Sequence, residues 1–157
     1  MSASATVAVT IAVSPERAFE LFTGEIDRWW RRSPAYRFRG KRSGELRFEP
    51  GLGGRLVEHY GEGDFHEVGR ILAWEPGRLL IIEWRATNYL PGQATEVEVR
   101  FRPVPGGTRV IVEHRGWEKL PPDHPALHGQ ALVEHLRQLG GWWEGLLDGL
   151  GRLATHC

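Results

Sequence analysis

The stretch TEVEVRFRPVPGGTRVIVEHR, residues 95–115, decides the fold. Residues 95–102 and 108–115 alternate apolar with charged side chains on either side of the loop 103–107. A period of two places every second side chain on the same face of a strand, so this stretch predicts an antiparallel hairpin with one dry and one wet face. The dry face carries Val97, Val99, Phe101, Val110 and Val112. The wet face carries Glu96, Glu98, Arg100, Arg102, Arg109, Glu113 and Arg115.

The same period occurs in residues 6–13, 45–49, 55–60, 67–74 and 78–85. The turns that join the last four of these segments are short and rich in glycine and proline, at residues 50–51, 61–63 and 75–77. Such turns link neighbouring antiparallel strands. The sequence therefore predicts one antiparallel sheet of about seven strands, arranged largely as a meander.

Helical signals interrupt the strands at two places. Ser14, Pro15 and Glu16 predict the start of a short helix that ends at Gly24, and residues 25–30 predict a second short turn of helix. After the proline-rich loop 120–125, apolar residues recur every three or four positions, which predicts a helix of roughly 25 residues. This stripe comprises Leu132, Leu136, Leu139, Trp143, Leu146, Leu150 and Leu153. The stripe needs an apolar partner, so we expect an α+β fold whose curved sheet wraps around the last helix and leaves a cavity between them.

Composition narrows the class of protein. The 157 residues fit one globular domain, 1–157, with a core from about 6 to 153. Lys plus Arg and Asp plus Glu both number 20, so the chain lacks the positive charge of a nucleic-acid binder. We expect no targeting signal and no membrane span, because no apolar run approaches the roughly 20 residues that cross a bilayer. Cys157 is the one cysteine, which excludes an intrachain disulfide and favours a cytoplasmic location.

Residues 69–84, GRILAWEPGRLLIIEW, resemble the strand-turn-strand signature of the heat-shock-protein ATPase activator-like branch of the SRPBCC (START-like) superfamily. The resemblance extends from about residue 6 to residue 153 and includes residues 14–19, 53–55, 107–114, 141–142 and 146–147. It implies a helix-grip fold, as in START-like and Bet v-like proteins, with a deep hydrophobic cavity for lipids, polyketides or other apolar molecules. The co-chaperones that named the branch carry an additional N-terminal domain. Direct ATPase activation is therefore not expected of this chain.

The predicted cavity is rich in aromatic side chains. Alternation and helical spacing give this candidate lining: Trp29, Trp30, Phe48, Ile82, Trp84, Val97, Val99, Phe101, Val112, His114, Trp143 and Leu146. Large rings serve equally well to fill a core or to line a pocket. Whether these residues contact a ligand is left open by the sequence.

Two titratable residues are the candidates for catalysis. His114 shares a strand face with Val112, so its imidazole is expected among apolar walls, where it would act as a ligand donor or a general base. The alternative is a structural histidine that is satisfied by a backbone carbonyl or by the loop before the last helix. Glu58 and Tyr60 share a face with Leu56, whereas His59 shares one with Val57, and the pattern does not say which face is inside.

Metal and cofactor sites are not predicted. His124, His128 and His135 lie near the start of the last helix, but no acidic or cysteine ligand completes a tetrahedral set at a recognised spacing. Gly141, Gly145 and Gly149 fall at steps of four on one flank of that helix. Close packing against a second copy of the chain, as a homodimer, would explain these glycines, and so would simple tolerance.

Three functions are consistent with these observations. The first is a module that binds an apolar small molecule, lipid-like or polyketide-like, in the internal cavity. The second is a cyclase- or hydrolase-type enzyme that uses His114 or Glu58. The third is an interaction protein that contacts a chaperone through the wet face of the sheet. That face is typical of a solvated surface, which makes the third function the least expected of the three. We expect the first.

Overall fold

The computed structural model describes residues 4–30, 44–85, 90, 92–121, 123, 124, 127 and 129–155. The strands in this part of the chain are β1 (Ser4–Ile11), β2 (Glu45–Phe48), β3 (Arg55–Gly61), β4 (Asp64–Glu75), β5 (Leu79–Trp84), β6 (Thr95–Val104) and β7 (Gly107–Arg115). The helices are α1 (Pro15–Thr23), α2 (Ile26–Trp29), a short 3-10 helix (Trp117–Lys119) and α3 (Leu132–Thr155). The strands form one antiparallel sheet in the order β1-β7-β6-β5-β4-β3-β2.

The central hairpin is formed by β6 and β7, with Val99 opposite Val112 and Val97 opposite His114. The strands extend further into the turn than their apolar pattern does, because Val104 still pairs with Gly107. This leaves a two-residue loop in place of the predicted five-residue loop. Gly106 adopts a φ of 82°, the left-handed conformation that two-residue hairpin loops require.

Glycine is required at position 69, the first residue of the 69–84 stretch, for a steric reason. A Cβ at Gly69 would lie 1.7 Å from the carbonyl oxygen of Glu83 on β5, so no other residue fits there. Register shifts near this position, between Leu56 and Val57 and between Ile71 and Ala73, mark bulges in the sheet. Bulges bend a strand and increase its twist. They help the sheet to curl around α3.

The helices begin and pack as the sequence predicts. Ser14 caps α1 by accepting a hydrogen bond from the backbone N–H of Arg17 at 3.2 Å. The 24-residue α3 buries its leucine-tryptophan stripe against the dry face of the sheet, with Trp143, Leu146 and Leu150 almost fully buried. The predicted α+β helix-grip architecture is therefore confirmed.

The glycines on this flank of α3 do not share one explanation, and one of them shows the simple tolerance that the sequence allowed. A Cβ at Gly149 would lie 2.8 Å from the carbonyl oxygen of Trp29, so this glycine lets α3 approach the end of α2. A Cβ at Gly141 would meet nothing within 4 Å. The close contact at Gly149 is therefore internal to the chain, and Gly141 is merely tolerated.

Candidate functional site

Five tryptophans lie between the concave face of the sheet and α3, and we call them the indole cluster: Trp30, Trp84, Trp117, Trp142 and Trp143. The rings of Trp30, Trp84 and Trp143 are mutually in contact, with centroids 5.6–5.9 Å apart. Trp142 packs on Trp143 at 5.3 Å in an edge-to-face geometry. Trp117 is connected to the other rings by the imidazole of His114, whose ring centroid lies 4.8 Å from that of Trp117. These spacings are those that aromatic pairs favour.

A second group of rings occupies the other end of the core, under α1. This phenylalanine cluster comprises Phe19, Phe22, Phe48, Trp74 and Phe101. Phe19 contacts Trp74 at 4.9 Å and Phe101 at 5.2 Å. Trp29 lies between the two clusters, 4.9 Å from Phe22 and 5.7 Å from Trp30.

His114 is held in a continuous chain of hydrogen bonds. The indole N–H of Trp143 donates to Nδ1 at 3.1 Å, so the imidazole proton of the neutral ring is on Nε2. Nε2 lies 2.8 Å from the hydroxyl oxygen of Thr95 and donates to it. The Thr95 hydroxyl in turn donates to the carbonyl oxygen of Trp84 at 3.2 Å. This chain ties α3 to β5, β6 and β7.

The environment of His114 keeps it uncharged. Burial, with a smaller contribution from nearby His135, lowers the pKa of His114 to about 3. Both ring nitrogens already have partners. General-base catalysis by His114 would require the hydrogen bond from Trp143 to break, so this geometry favours the structural alternative.

Glu58 faces the interior, together with Leu56 and opposite Leu46 on β2. The Tyr60 hydroxyl donates a short hydrogen bond to Oε1, and the Gly44 N–H lies 3.4 Å from Oε2. His59 points outward against Phe65. The strand order places Glu58 four strands from His114, roughly 19 Å along the sheet, so the two candidates do not share one site.

All of the predicted lining residues are buried, but they are not equivalent. Val97, Val99, Val112 and Leu146 have no accessible surface, so no space as large as a water molecule borders them. Ile82 and Trp143 have almost no accessible surface. Trp30, Trp84 and Phe48 retain 6–7% exposure. The middle of the interface between sheet and helix is therefore packed, and the residual access lies toward its two ends.

A recess of about 270 Å³ opens at the end of the sheet near the 3-10 helix. It is polar, unlike the predicted cavity, and is lined by Glu83, Gly92, Ala94, Thr95, Glu96, Arg115, Gly116, Glu118 and Lys119. Nearby charges on the wet face pair with one another. Arg115 contacts Glu96 at 3.1 Å, Glu98 at 2.8 Å and Glu113 at 3.4 Å.

The histidines near α3 do not form a cluster in the described residues. His124 Nε2 lies 2.7 Å from Oε1 of Gln93, and the His135 ring packs on Trp117 at 4.3 Å. His128 lies outside the described residues. Within the residues described, no three His, Cys, Asp or Glu side chains are arranged to hold a metal ion. In the same part of the chain, no helix is both long and apolar enough to cross a membrane.

Sequence reasoning missed three residues of this region. The period of two indicates that Thr95 faces inward, because it shares a strand face with Val97. Nothing in the sequence indicated that its hydroxyl would be buried and hydrogen-bonded. Trp117 follows the last strand, where no period applies. Gly44 precedes β2 and shows its role only in three dimensions, because a Cβ there would lie 2.7 Å from Cγ of Glu58.

Solved structures show the same fold at low sequence identity. The protein MLL2253 from Mesorhizobium loti aligns with a TM-score of 0.68 and 20% identity, covering 98% of this chain and 97% of that one. CalU16 from Micromonospora echinospora gives 0.62 and 22%, covering 96% and 73%. The Aha1 dimer from Colwellia psychrerythraea gives 0.64 and 13%, covering 94% and 92%. Comparison with curated protein sequences gives no match.

The solved structures show a shared fold, whereas a comparison with protein families identifies the family. Residues 12–144 match the family described as activator of Hsp90 ATPase homolog 1-like protein. This match covers most of the chain and includes both aromatic clusters, β2 to β7 and the first half of α3. The chain belongs to the activator of Hsp90 ATPase homolog 1-like family.

Proposed function

We propose that this protein binds an apolar, ring-bearing small molecule at the indole cluster. The observation that carries the proposal is the indole N–H of Trp117, which is buried and has no hydrogen-bond partner among the described residues. Leaving a buried donor unpaired costs about 1–3 kcal/mol, and native proteins seldom do so without a reason. A ligand oxygen that accepts this hydrogen bond would remove the cost.

The chemistry of the indole cluster selects an uncharged group. Its polar atoms are the N–H groups of tryptophans, the neutral imidazole of His114 and the hydroxyl of Thr95. A carboxylate or phosphate would lose its hydration here without gaining a cation, which is costly. The part of the ligand that lies in the cluster is therefore apolar and flat, with a carbonyl, ether or hydroxyl oxygen for Trp117.

Binding requires local movement. Val97, Val99 and Leu146 are fully packed, so the ligand enters at the less closed end, where Trp30 and Trp84 keep some exposure. Side-chain and helix displacement of this kind is a common feature of regulated binding sites. Family membership supports the proposal only as far as the fold, because one fold supports many functions.

The test uses N-phenyl-1-naphthylamine, a neutral dye that fluoresces in apolar sites and accepts energy from tryptophan. We expect the dye to bind the wild-type protein and the Trp84→Phe variant to bind it about tenfold more weakly, because an indole contact is lost. Trp74→Phe is the matched control in the phenylalanine cluster and should leave dye affinity unchanged.

Two results would count against this function. One is the absence of dye binding to the folded wild-type protein, together with native mass spectra that show no retained small molecule. The other is an equal loss of affinity in Trp84→Phe and Trp74→Phe, which would indicate binding that is not localised to the indole cluster.

A further inference from the structure

The wet face of the sheet sorts its charges by sign along the strands. On β6 they follow the order Glu96, Glu98, Arg100 and Arg102, so the first half of the strand is acidic and the second half is basic. The neighbouring strands continue this division. We call the two halves the acidic end, which comprises Glu83, Glu96, Glu98, Glu113 and one arginine, Arg115, and the basic end, which comprises Arg100, Arg102 and Arg109.

Like charges lie directly opposite one another at three places on this face. The cross-strand pairs are Glu83 with Glu96, Glu98 with Glu113, and Arg102 with Arg109. Such pairs destabilise a sheet, whereas pairs of opposite charge stabilise it. At the acidic end Arg115 offsets part of this cost through its contacts with three of the carboxylates. A partner that brings the opposite charge to each end would remove the rest.

The basic end has no carboxylate of its own for two of its three arginines. Arg102 and Arg109 are exposed, and neither forms an ion pair within the residues that the structure describes. Arg100 contacts Glu98 at 3.2 Å. All 20 aspartates and glutamates of the chain belong to the described residues, so no acidic side chain elsewhere in the chain remains to pair with Arg102 and Arg109.

The order of charges on β6 is self-complementary. A two-fold axis that lies across the strands, midway between Glu98 and Arg100, reverses the strand direction in a facing copy of the chain. It places Glu96 of one copy opposite Arg102 of the other, and Glu98 opposite Arg100. Each of these pairs then occurs twice, as in any isologous interface.

The middle of the face suits close approach of a second copy. Leu79 and Ile81 of β5 are half-buried there, level with Arg100 and Glu98 of β6. The outward residues of β1 are small, namely Thr6, Ala8 and Thr10. The same two-fold axis makes this apolar strip face itself. An apolar middle with charged ends is typical of protein interfaces.

The acidic end also has a shape that fits a long basic side chain. Glu83, Glu96 and Arg115 line the polar recess of about 270 Å³. In the facing copy, Arg102 lies opposite Glu96 and so at this recess. Guanidinium groups bind carboxylates through two parallel hydrogen bonds, and arginine is therefore favoured in ion pairs between proteins.

We propose that the wet face is the interface of a homodimer in which the acidic end of each copy contacts the basic end of the other. A second copy is the occupant because one symmetry axis satisfies both ends at once. The strands β5, β6, β7 and β1, about 4.8 Å apart, and seven residues of about 3.3 Å each give a patch of roughly 20 by 20 Å. This is a modest interface, so the dimer dissociates reversibly. The inference is independent of the proposed function, because the indole cluster lies on the other side of the sheet.

Sedimentation equilibrium of the full chain between about 1 and 300 µM tests the dimer, since modest interfaces dissociate in this range. We expect the wild type to dimerise at low ionic strength and to bind itself about tenfold more weakly in about 1 M NaCl, where surface charges are screened. Arg102→Glu and Glu96→Arg should each weaken the dimer about tenfold or more, because two repulsive contacts replace two attractive ones.

An equimolar mixture of the two variants is the decisive sample. In the mixed dimer the two substituted residues face each other with opposite charge, and so do the two unchanged ones. The mixture should therefore associate at least tenfold more tightly than either variant alone. Glu144→Arg is the matched control, because it makes the same substitution as Glu96→Arg at an exposed position of α3, and it should dimerise like the wild type.

Arg102→Glu also separates loss of the interface from loss of the fold. It places a carboxylate opposite Arg109, so the urea midpoint of the monomer should stay unchanged or rise while association weakens. Damage to the fold would lower both. If Glu96→Arg does not fold, this variant alone decides the question.

Three results would overturn the proposal. The first is a wild-type protein that stays monomeric over the whole concentration range at low salt, which would leave a different partner as the occupant of the face. The second is a dimer that Arg102→Glu does not weaken, or that Glu144→Arg weakens equally. The third is a mixture of the two folded variants that associates no more tightly than each does alone.

Discussion

The two aromatic clusters fill the same core by different means. In the phenylalanine cluster, Phe101 contacts both Phe19 and Phe22 through ring edges and faces, and these three side chains carry no polar atom. In the indole cluster, Trp143 donates to His114, which is linked through Thr95 to the Trp84 carbonyl. The first end is held mainly by the packing of apolar rings. The second combines burial with directional bonds whose partners must be in place.

This difference has consequences for plasticity. Apolar packing depends on volume and tolerates rearrangement within that volume, whereas a buried polar group penalises any geometry that leaves it unpaired. The indole cluster should therefore respond sharply to changes in protonation and in single donors. The phenylalanine cluster should respond only to lost volume.

The largest expected effect is acid sensitivity that originates at the indole cluster. The pKa of His114 is about 3 in the folded protein, against about 6.5 when unfolded, so the unfolded state binds a proton that the folded state excludes between these values. Stability is complete above pH 6.5 and falls as the pH drops toward 3. The loss at pH 4 is on the order of 3 kcal/mol.

Urea unfolding at a series of pH values measures this effect. His114→Gln, which cannot titrate, should be less stable at neutral pH but lose less stability on acidification. His59→Gln, at an exposed position, should follow the wild type. A wild-type profile that His114→Gln leaves unchanged would show that the two clusters do not differ in this respect.

A smaller effect is expected from removing one donor. Trp143→Phe leaves Nδ1 of His114 as a buried acceptor without a donor, and we expect a loss of about 2 kcal/mol. Trp74→Phe removes an indole from the phenylalanine cluster, where Trp74 is only half-buried, and should cost less. Equal free energies of unfolding for the two variants would mean that the hydrogen bond contributes nothing beyond packing.

The smallest effect concerns the junction of the clusters at Trp29. Gly149→Ala places a methyl group 2.8 Å from the Trp29 carbonyl oxygen, so α3 must shift, and we expect a loss of about 1 kcal/mol in thermal or urea unfolding. Gly141→Ala adds the same methyl group to the same helix in open space. It should stabilise the protein by about 0.5–1 kcal/mol through helix propensity. A stabilising Gly149→Ala would disprove the close contact between α2 and α3.

Much of the fold could be predicted because its signals are local. The alternation of Val97, Val99 and Phe101 and the stripe through Trp143 and Leu146 identify β6 and α3 whatever the rest of the chain does. Strand ends were less predictable. β4 begins at Asp64, earlier than its apolar pattern, because Gly61 on β3 pairs with Asp64 there and backbone pairing extends beyond the alternation.

The candidate site was predicted in composition but not in arrangement. The sequence placed His114 and Trp84 inside, and the structure has both buried. It did not indicate that His114 is a link in a hydrogen-bond chain, because Trp143 and Thr95 are distant in sequence and come within reach only when α3 packs on the sheet. For the same reason, the sequence did not show whether the Glu58 side chain points into the core or toward solvent.

The sequence by itself determined the strands, the helices and the side of each that is apolar, because periodicity is a property of neighbouring residues. Only the tertiary structure decided which polar groups are satisfied: His114 by Trp143 and Thr95, and Glu58 by Tyr60 and Gly44, with no countercharge for Glu58 in the described residues. Burial and hydrogen bonding depend on what the rest of the chain brings into contact, and those contacts exist only once the sheet has curled around α3.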